Sequence, residues 1–355
     1  MHNPLVSVII DNYNYGRFLG AAIESALNQT YHDTEILVVD DGSTDDSRNV
    51  IEKYRGRVIP ILKSNGGQAS AFNSGVARSA GQIICFLDSD DLWYSGKVAK
   101  VVEILTNISA DRPALVHHFL EILEQSTGKT TGKLIGTRHV TPCNLYEDAK
   151  RHRHIPYIAG PTSSISINRA LASALFPLPE QGVSISADDF VVLPGSLIGE
   201  VHSVDSVLGQ YRVHGSNLWF LSNRARTAKY RETLDAFMNQ KLIECGREPC
   251  ISLYESMYYW MDLVNERRWS SLLVSVGKLA VVQRDAVTLR VVYSTLQQIF
   301  NKTHLRRFSI FRHFLEITRP IRIRLDRWTE KRTPHGIHSS IGDSSLRLPD
   351  QHNQA

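Results

Sequence analysis

The stretch IICFLDSDDLW carries three carboxylates within four positions, directly after a run of apolar residues. The three acids are Asp88, Asp90 and Asp91. Carboxylates this close repel one another and resist burial, so a cation among them is expected. Oxygen ligands suit Mg²⁺ or Mn²⁺, and these ions keep open positions that substrate phosphates can fill. Asp91 has an alternative role, because it could cap a helix that begins near Leu92.

Two widespread nucleotide-binding motifs are missing from the sequence. The turn after the first apolar run reads DNYNYG, where a dinucleotide-binding Rossmann fold has G-x-G-x-x-G. The P-loop motif G-x-x-x-x-G-K-S/T does not occur anywhere in the chain. A nucleotide bound by this protein must therefore be held by other groups.

Apolar runs and helical patterns alternate over about the first 100 residues. Four apolar runs predict strands, and they read LVSVII, EILVVD, RVIPIL and QIICFL. The segments between them have helical spacing, and Ser43 or Thr44 is predicted to cap the second helix. Continuous apolar strands separated by helices predict an α/β fold, with a mostly parallel sheet and helices on both faces.

Polar residues follow each of the four predicted strands. Sheets of this kind bind ligands at the carboxyl ends of their strands. We therefore expect these residues to meet at one edge of the sheet: Asp11–Tyr13, Asp40 and Asp41, Asn65–Gly67, and Asp88–Asp91.

The pattern changes twice beyond this region, which predicts three parts of the chain. Strand-like pieces such as ALVHHF, SSISI and VLGQYRV are followed by helical patterns after about Ser222. The end of the chain is polar and contains Gly, Pro and Ser, which is typical of disorder. The predicted parts are an α/β domain over 1–220, a smaller α-helical region over 221–333 and a disordered tail over 334–355.

Composition indicates a soluble globular protein and does not suggest a nucleic-acid binder, so no nucleic-acid partner is expected. The chain has 355 residues, of which 42% are hydrophobic and 21% charged, with a formal net charge of +4. The four cysteines have neither zinc-site nor redox-motif spacing, which predicts reduced thiols. The sequence starts without a basic leader and lacks an apolar run long enough to span a membrane. The expected location is the cytoplasm, with peripheral contact at the inner face of the membrane as an option.

Five stretches of the sequence occur together in a familiar order over about residues 5–217. They read VSVIIDNYNYGRFLGAAIESALNQT, EILVVDDGSTDDS, SNGGQASAFNSGVARSAGQIICFLDSDDLW, ADDF and YRVHGSN. In this order they resemble the family 2 glycosyltransferases, which have the GT-A fold. The resemblance implies a GT-A domain over 1–220 and a metal-dependent, inverting sugar transfer. The implied donor is a UDP- or dTDP-sugar, and the implied acceptor is a saccharide or lipid-linked hydroxyl in the synthesis of a bacterial-type surface polysaccharide or glycoconjugate.

The resemblance assigns the nucleotide end of the site. Tyr13 would lie against the nucleobase, and Asp41 would accept a hydrogen bond from the uracil or thymine imide. Asn65 and Gly67 would approach the nucleotide, where a glycine lets the backbone come close. Asp40 would orient the loop.

The resemblance also assigns the diphosphate end. Asp88 would bind the ribose, and Asp90 would ligate the Mn²⁺ or Mg²⁺ that bridges the phosphates. His214 could complete the metal shell or contact the diphosphate, although a lone histidine is as often a structural group. Arg212 could pair with phosphate or with an acid of the site.

The general base is expected in the segment ADDF. The resemblance places Asp189 as the group that deprotonates the acceptor hydroxyl, with Asp188 in the position of the family's glutamate. The aspartate side chain at that position is shorter than glutamate by one methylene, which leaves open which of the two carboxylates faces the acceptor. Thr162 and Ser163 could face the sugar or the acceptor, with core or turn roles as alternatives. At Asp11 the chain departs from the proline common in the family, and the sequence offers no account of that charge.

Two other functions fit parts of the sequence. An apolar strand followed by D-x-D also occurs in haloacid-dehalogenase-like phosphatases, but there the motif follows the first strand. A non-catalytic scaffold that binds nucleotide-sugars is the other alternative, although the acids of the site are intact.

The C-terminal third carries features outside the five stretches. The helical patterns between about 222 and 300 could form a homodimer, bind a partner enzyme or cap the core. The basic amphipathic stretch 304–328 could lie on an anionic membrane or pack on the protein, and Pro320 would interrupt it.

Overall fold

The computed structural model describes most of the chain up to Cys250 and less of the part that follows. The described residues are 3–138, 141–152, 155, 158–183, 185–215, 217 and 227–252, with a few positions between 259 and 275. The predictions for the amphipathic stretch 304–328 and for the tail 334–355 lie outside the described residues, as does most of the region 221–333. The division at residue 220 therefore stays a prediction.

Nine strands and eight α-helices lie within residues 3–252 of the described part of the chain. The strands are β1 (Val6–Asn12), β2 (Thr34–Asp40), β3 (Ile59–Leu62), β4 (Ile83–Asp88), β5 (Leu92–Trp93), β6 (Ala114–Glu124), β7 (Lys129–Ile135), β8 (Ser166–Asn168) and β9 (Glu200–Val213). The helices are α1 (Gly16–Leu27), α2 (Ser47–Glu52), α3 (Gln68–Arg78), α4 (Lys97–Leu105), α5 (Tyr146–His152), α6 (Arg169–Leu175), α7 (Asp189–Ile198) and α8 (Ala228–Glu244). A 3₁₀ turn spans Thr162–Ser164. Among these described helices, none is long and apolar enough to cross a membrane.

All nine strands join one sheet in the order β3-β2-β1-β4-β8-β6-β9-β5, with β7 paired to β6. The first four strands are parallel, as the alternation of strand and helix predicts. β8 runs antiparallel to both β4 and β6, whereas β9 runs parallel to β6. β1 lies between β2 and β4, so the carboxyl ends of these three strands meet at one edge.

Apolar residues cover both faces of the sheet. Along β1, Ile9 belongs to a cluster with α3, α6 and α7, whereas Val8 and Ile10 belong to a second cluster with α1 and α4. This alternation follows from the strand, whose successive side chains point to opposite faces. The two clusters pack helices against both faces of β1, β2 and β4, whose register is set by their backbone pairing.

The start of α2 differs from the sequence prediction. The helix begins at Ser47 after Asp46, so neither Ser43 nor Thr44 caps it. The hydroxyl of Ser43 instead accepts hydrogen bonds from the backbone N–H of Asn14 and the side-chain amide of Asn12. The Ser43 hydroxyl, which the local sequence assigns to the start of α2, is therefore used in a tertiary contact with the end of β1.

Gly75 lies where α3 packs closely against Ile9 of the sheet. A Cβ added at Gly75 would lie 2.6 Å from Cγ2 of Ile9. Ile9 is fully buried and its branched side chain has little freedom to move. We expect Gly75→Ala to lower the free energy of unfolding by about 1 to 3 kcal/mol in urea titrations.

The matched control is Gly20→Ala in α1. The nearest atom to its added Cβ would be the Tyr54 hydroxyl at 3.5 Å, which is ordinary contact. Helix propensity should then raise stability by up to about 1 kcal/mol. Equal effects of the two substitutions would contradict the close packing at Gly75.

Candidate active site

A cavity of about 670 Å³ opens at the carboxyl ends of β1, β2 and β4. Its wall collects residues from strand ends that are far apart in sequence, including Asp11, Tyr13, Asp41, Asn65, Gly67, Asp88, Asp90, Asp188 and Asn217. The edge predicted from the sequence is therefore a real concavity, and the sheet register explains it. Asn12 pairs with Asp40 across β1 and β2, and Asp11 pairs with Asp88 across β1 and β4.

Asp41 organises one end of this cavity. Its carboxylate accepts hydrogen bonds from the backbone N–H groups of Gly66 and Gly67, the second at 2.7 Å. The ammonium of Lys63 lies 2.5 Å from Asp41 Oδ1 and forms an ion pair with it. A carboxylate has about four acceptor sites, so three bound donors leave capacity for a ligand N–H.

The other residues predicted for this end also lie on the cavity wall. Tyr13 is 45% exposed and lines the cavity, so part of its side chain is open to a ligand. Asn65 donates from its side-chain amide to the carbonyl of Asp41. Gly67 has φ of +85°, a conformation that favours glycine and that brings its N–H onto Asp41.

Asp40 is fully buried and lies behind the cavity wall. Its carboxylate accepts from the side-chain amide of Asn12, the backbone N–H of Ser43 and the guanidinium of Arg48. These bonds hold the turn after β2 against the end of β1.

Asp11 and Asp88 form an acidic pair in the middle of the cavity. The side-chain amide of Gln68 lies between them, with its nitrogen 3.3 Å from Asp11 Oδ2 and 3.1 Å from Asp88 Oδ1. Burial raises the pKa of Asp11 to about 7. Burial, and then the charge of Asp11, raise the pKa of Asp88 well above its ordinary value. The raised pKa values mean that these carboxyl groups keep a proton more readily, which lowers the repulsion between them.

Gln68 also joins the two halves of the site. Its side-chain oxygen accepts from the backbone N–H of Ala187 at 3.0 Å, next to the predicted base. The same side chain thus contacts the end of β1, the end of β4 and the loop before α7.

Asp90 is paired with the segment after β9. His214 Nε2 lies 2.9 Å from Asp90 Oδ2, and the amide of Asn217 lies 3.5 Å from the same oxygen. The ring of His214 is buried against Tyr15 and Phe18. The structure thus brings together the two residues predicted to hold the metal.

Asp91 does not cap a helix, which corrects that alternative. The chain continues from Asp91 into β5, and the next helix begins only at Lys97. Asp91 is buried and accepts from the Ser163 hydroxyl at 2.6 Å and from the backbone N–H of Arg212 at 2.9 Å. Burial, and next the charge of Asp90, raise its pKa.

Arg212 and Ser163 therefore support the acidic loop. The guanidinium of Arg212 donates to the backbone carbonyl of Asp90 and to the Gln125 side chain. Ser163 is fully buried, so of the two residues considered for the acceptor side only Thr162 lines the cavity.

Asp188 and Asp189 occupy different environments. Asp188 lines the cavity, whereas Asp189 is 3% exposed and begins α7. The hydroxyl of Tyr230 lies 2.7 Å from Asp189 Oδ2 and 2.9 Å from the carbonyl of Ser186. Asp189 is thus held from behind by α8, and Asp188 is the neighbour that faces the open volume.

The acids after β4 fit a hard divalent cation. One carboxylate oxygen from each of Asp88, Asp90 and Asp91 lies within 4.8 Å of the others. Asp91 already bonds Ser163 and Arg212 through its two oxygens, so Asp90 is the best placed to bind an ion. The imidazole of His214 adds a nitrogen donor beside it.

Comparisons with known proteins agree with this geometry. The sequence model described as "Glycosyl transferase family 2" matches residues 7–160. An uncharacterized glycosyltransferase of Nostoc sp. is 32% identical over 267 residues, which covers 72% of this chain and 80% of that protein. This chain belongs to glycosyltransferase family 2.

Two further relatives extend the comparison. The protein named UDP-Glc:alpha-D-GlcNAc-diphosphoundecaprenol beta-1,3-glucosyltransferase WfaP, from Escherichia coli, is 41% identical over 103 residues, which covers 28% of this chain and 41% of that protein. The crystal structure of S. aureus TarS 1-349 in complex with UDP-GlcNAc superposes with a TM-score of 0.51 at 15% identity, over 92% of this chain and 90% of that one. The second likeness confirms the GT-A fold.

Family membership confirms that the protein is a glycosyltransferase with an α/β GT-A domain. The phosphatase alternative is excluded by the same result. It also fails on topology, because the D-x-D follows β4 rather than the first strand.

Sequence reasoning missed three residues of this glycosyltransferase site. Lys63 and Gln68 flank the predicted Asn65–Gly67 turn, so their proximity in sequence was a usable signal. Tyr230 lies 41 positions from Asp189, and no local pattern connects the two.

The ionisation of Asp11 should make stability depend on pH. Its pKa is near 3.8 in the unfolded chain and about 7 in the fold, so the folded state binds more protons between these values. Stability should therefore fall as the pH rises from about 4 to about 7. Asp11→Asn cannot ionise, so it should exceed the wild type by roughly 1 to 4 kcal/mol above pH 7 and by little near pH 4.

Urea unfolding across this pH range in EDTA measures the effect. The exposed Asp33→Asn serves as the control, since it should leave the pH dependence unchanged. A difference between Asp11→Asn and the wild type that does not vary with pH would contradict the raised pKa.

Proposed function

We propose that this glycosyltransferase moves a sugar from a UDP- or dTDP-sugar to a hydroxyl of a saccharide or lipid-linked acceptor, with inversion and with Mn²⁺ or Mg²⁺. One observation carries the proposal: a single cavity has Tyr13 and Asp41 at one end, the Asp88–Asp90 acids beside them, and Asp188 on its wall. A nucleotide-sugar needs this sequence of contacts, since it has a base, a ribose, a diphosphate and a sugar in line.

Asp41 suits a base with a ring N–H donor, and the choice of uracil or thymine among such bases follows from the family resemblance. An imide N–H is a hydrogen-bond donor, and a carboxylate is an acceptor only. Gly66, Gly67 and Lys63 hold that carboxylate at the cavity edge. The exposed ring of Tyr13 supplies a stacking surface beside it.

Asp90, with His214 beside it, would hold the Mn²⁺ or Mg²⁺. Such an ion supplies Lewis-acid neutralisation of charge on the leaving diphosphate. The protein itself fixes the loop that carries Asp90, through Arg212 on its carbonyl and Asp91 on Ser163.

The reaction is a single displacement. The acceptor oxygen forms a bond to the anomeric carbon while the bond from that carbon to the diphosphate oxygen breaks, and the nucleoside diphosphate leaves with the electron pair. A carboxylate of the Asp188–Asp189 pair takes the proton of the acceptor hydroxyl. We assign this role to Asp189 by family resemblance, with Tyr230 orienting its carboxylate and Asp188 contacting the incoming substrate.

The name of the WfaP relative supports the class of substrate. It describes a UDP-glucose donor and an undecaprenol-linked acceptor, which agrees with a role in polysaccharide or glycoconjugate synthesis. A cytoplasmic location, peripheral membrane contact through 304–328 and a homodimer remain predictions from the sequence.

The metal assignment predicts a specific loss in Asp90→Asn. We expect Mn²⁺ to increase the affinity of the wild type for UDP. In the variant this increase should be smaller by about tenfold or more, because a carboxylate ligand of the metal is removed. Calorimetric titration of UDP with Mn²⁺ and with EDTA measures it. Asp33→Asn is the matched surface control. Metal-independent binding and hydrolysis of every UDP-, dTDP- and GDP-sugar by the wild type would contradict the metal dependence.

The base assignment predicts different losses at two adjacent acids. Asp189→Asn should lower kcat by about 10²- to 10⁴-fold, as expected for loss of a general base. It should leave the affinity for UDP unchanged. Asp188→Asn should mainly raise KM for the acceptor. Steady-state kinetics with a UDP-sugar and a lipid-linked saccharide test both, and the reverse pattern would assign the base to Asp188.

A further inference from the structure

Tyr211 lies on the cavity wall and has no role among the steps of the proposed reaction. It precedes Arg212 in β9, whose backbone N–H bonds Asp91 and whose guanidinium bonds the carbonyl of Asp90. Successive side chains of a strand point to opposite faces. Arg212 thus holds the acidic loop from one face of β9, and Tyr211 on the other face lines the cavity. The tyrosine ring is therefore fixed beside the loop to which the diphosphate is assigned.

The hydroxyl of Tyr211 is open to the cavity. Only 7% of the residue is exposed, and it forms part of the cavity wall. Among the residues that the structure describes, none forms a hydrogen bond with this hydroxyl. It is also not one of the enclosed polar atoms that lack a partner, as Asp11 Oδ1 is. A buried tyrosine hydroxyl normally has a hydrogen-bond partner, so a bound ligand is expected to supply it.

This hydroxyl is a hydrogen-bond donor placed among acceptors. Asp88, Asp90 and Asp188 line the same cavity, and ionised carboxylates only accept hydrogen bonds. Burial, followed by the charges of Asp91 and Asp88, raises the pKa of Tyr211. The phenol therefore keeps its proton and offers an O–H group. Hydrogen bonds from such a group are strongest to an anionic oxygen.

The bond that breaks in the proposed reaction lies between the acidic loop and the base. The diphosphate is assigned to the surroundings of Asp90, and the acceptor oxygen to the Asp188–Asp189 pair. Tyr211 lies within electrostatic range of both sides, since the charges of Asp90 and Asp188 each act on it. Between these two sides lies the diphosphate oxygen that gains negative charge as the sugar departs.

We propose that the Tyr211 hydroxyl donates a hydrogen bond to the diphosphate oxygen that leaves the anomeric carbon. This inference rests on the proposed function and adds a catalytic residue to it. The carbon–oxygen bond breaks with its electron pair on the oxygen. Tyr211 keeps its own proton, while its hydrogen bond to that oxygen strengthens. A donor fixed where charge develops stabilises the transition state more than the bound nucleotide-sugar, and so raises the rate.

The test compares UDP with UMP, which lacks the terminal phosphate that carries this charge in UDP. Tyr211→Phe removes only the hydroxyl. Calorimetry in Mn²⁺ should show that the variant binds UDP about tenfold more weakly, as expected for a lost hydrogen bond to a charged group. Its affinity for UMP should change by less than about threefold. With a UDP-sugar that the wild type turns over, kcat should fall by about 10- to 100-fold while KM for that donor changes little.

Tyr94→Phe is the matched control, because it removes a tyrosine hydroxyl that is not on the cavity wall. That hydroxyl bonds the side chains of Glu121 and Gln210. This variant should bind UDP and UMP as the wild type does.

Three results would overturn the assignment of Tyr211. The first is an unchanged affinity for UDP in Tyr211→Phe. The second is an equal loss of affinity for UDP and UMP, which would indicate an indirect effect on the nucleotide end of the cavity. The third is a loss of affinity for the UDP-sugar without a loss for UDP, which would place the hydroxyl on the transferred sugar.

The same titrations separate this inference from the proposed function. If UDP binds the wild type and Tyr211→Phe equally well, only the role of Tyr211 is overturned. Binding of GDP in place of UDP would reject the uracil assignment, and GDP and GMP would then replace UDP and UMP with the same expected losses. Failure of every nucleoside diphosphate to bind would overturn both.

Discussion

Repulsion among carboxylates at one edge of the sheet is the constraint on which the rest of this site depends. The parallel register of β1, β2 and β4 delivers six acids to neighbouring strand ends: Asp11, Asp40, Asp41, Asp88, Asp90 and Asp91. Each acid needs a partner, because a buried charge without one is costly. The fold supplies Arg48 for Asp40, Lys63 for Asp41 and the hydroxyl of Ser163 for Asp91.

Partners differ in how much of each carboxylate they occupy, and this difference divides the acids by role. Asp40 and Asp91 are satisfied by the protein and hold loops in place. Asp11, Asp88 and Asp90 line the cavity instead. The protein therefore stabilises its structural acids internally, whereas the other three face the proposed substrate site.

Distant segments complete the site, so it exists only in the folded domain. Gln68 connects the β1 and β4 ends to the loop before α7. β9 brings His214 and Arg212 over the acidic loop, and α8 places Tyr230 behind Asp189. The contribution of α8 is notable because that helix follows the predicted domain limit at residue 220. The helical part that follows the GT-A strands thus takes part in positioning the predicted base.

The sequence by itself determined the α/β class, the four parallel strands and the edge at which the acids meet. These follow from local apolar runs and from the rule that polar residues after parallel strands share one edge. Tertiary structure decided which acid does what. Asp91 could have been a helix cap, but a hydroxyl from residue 163 and an N–H from residue 212 made it structural. Ser43 likewise does not cap α2, because its hydroxyl accepts hydrogen bonds from Asn12 and Asn14 at the end of β1. These hydrogen-bond partners are separated by 29 to 121 positions and leave no local pattern, so only the folded chain reveals them.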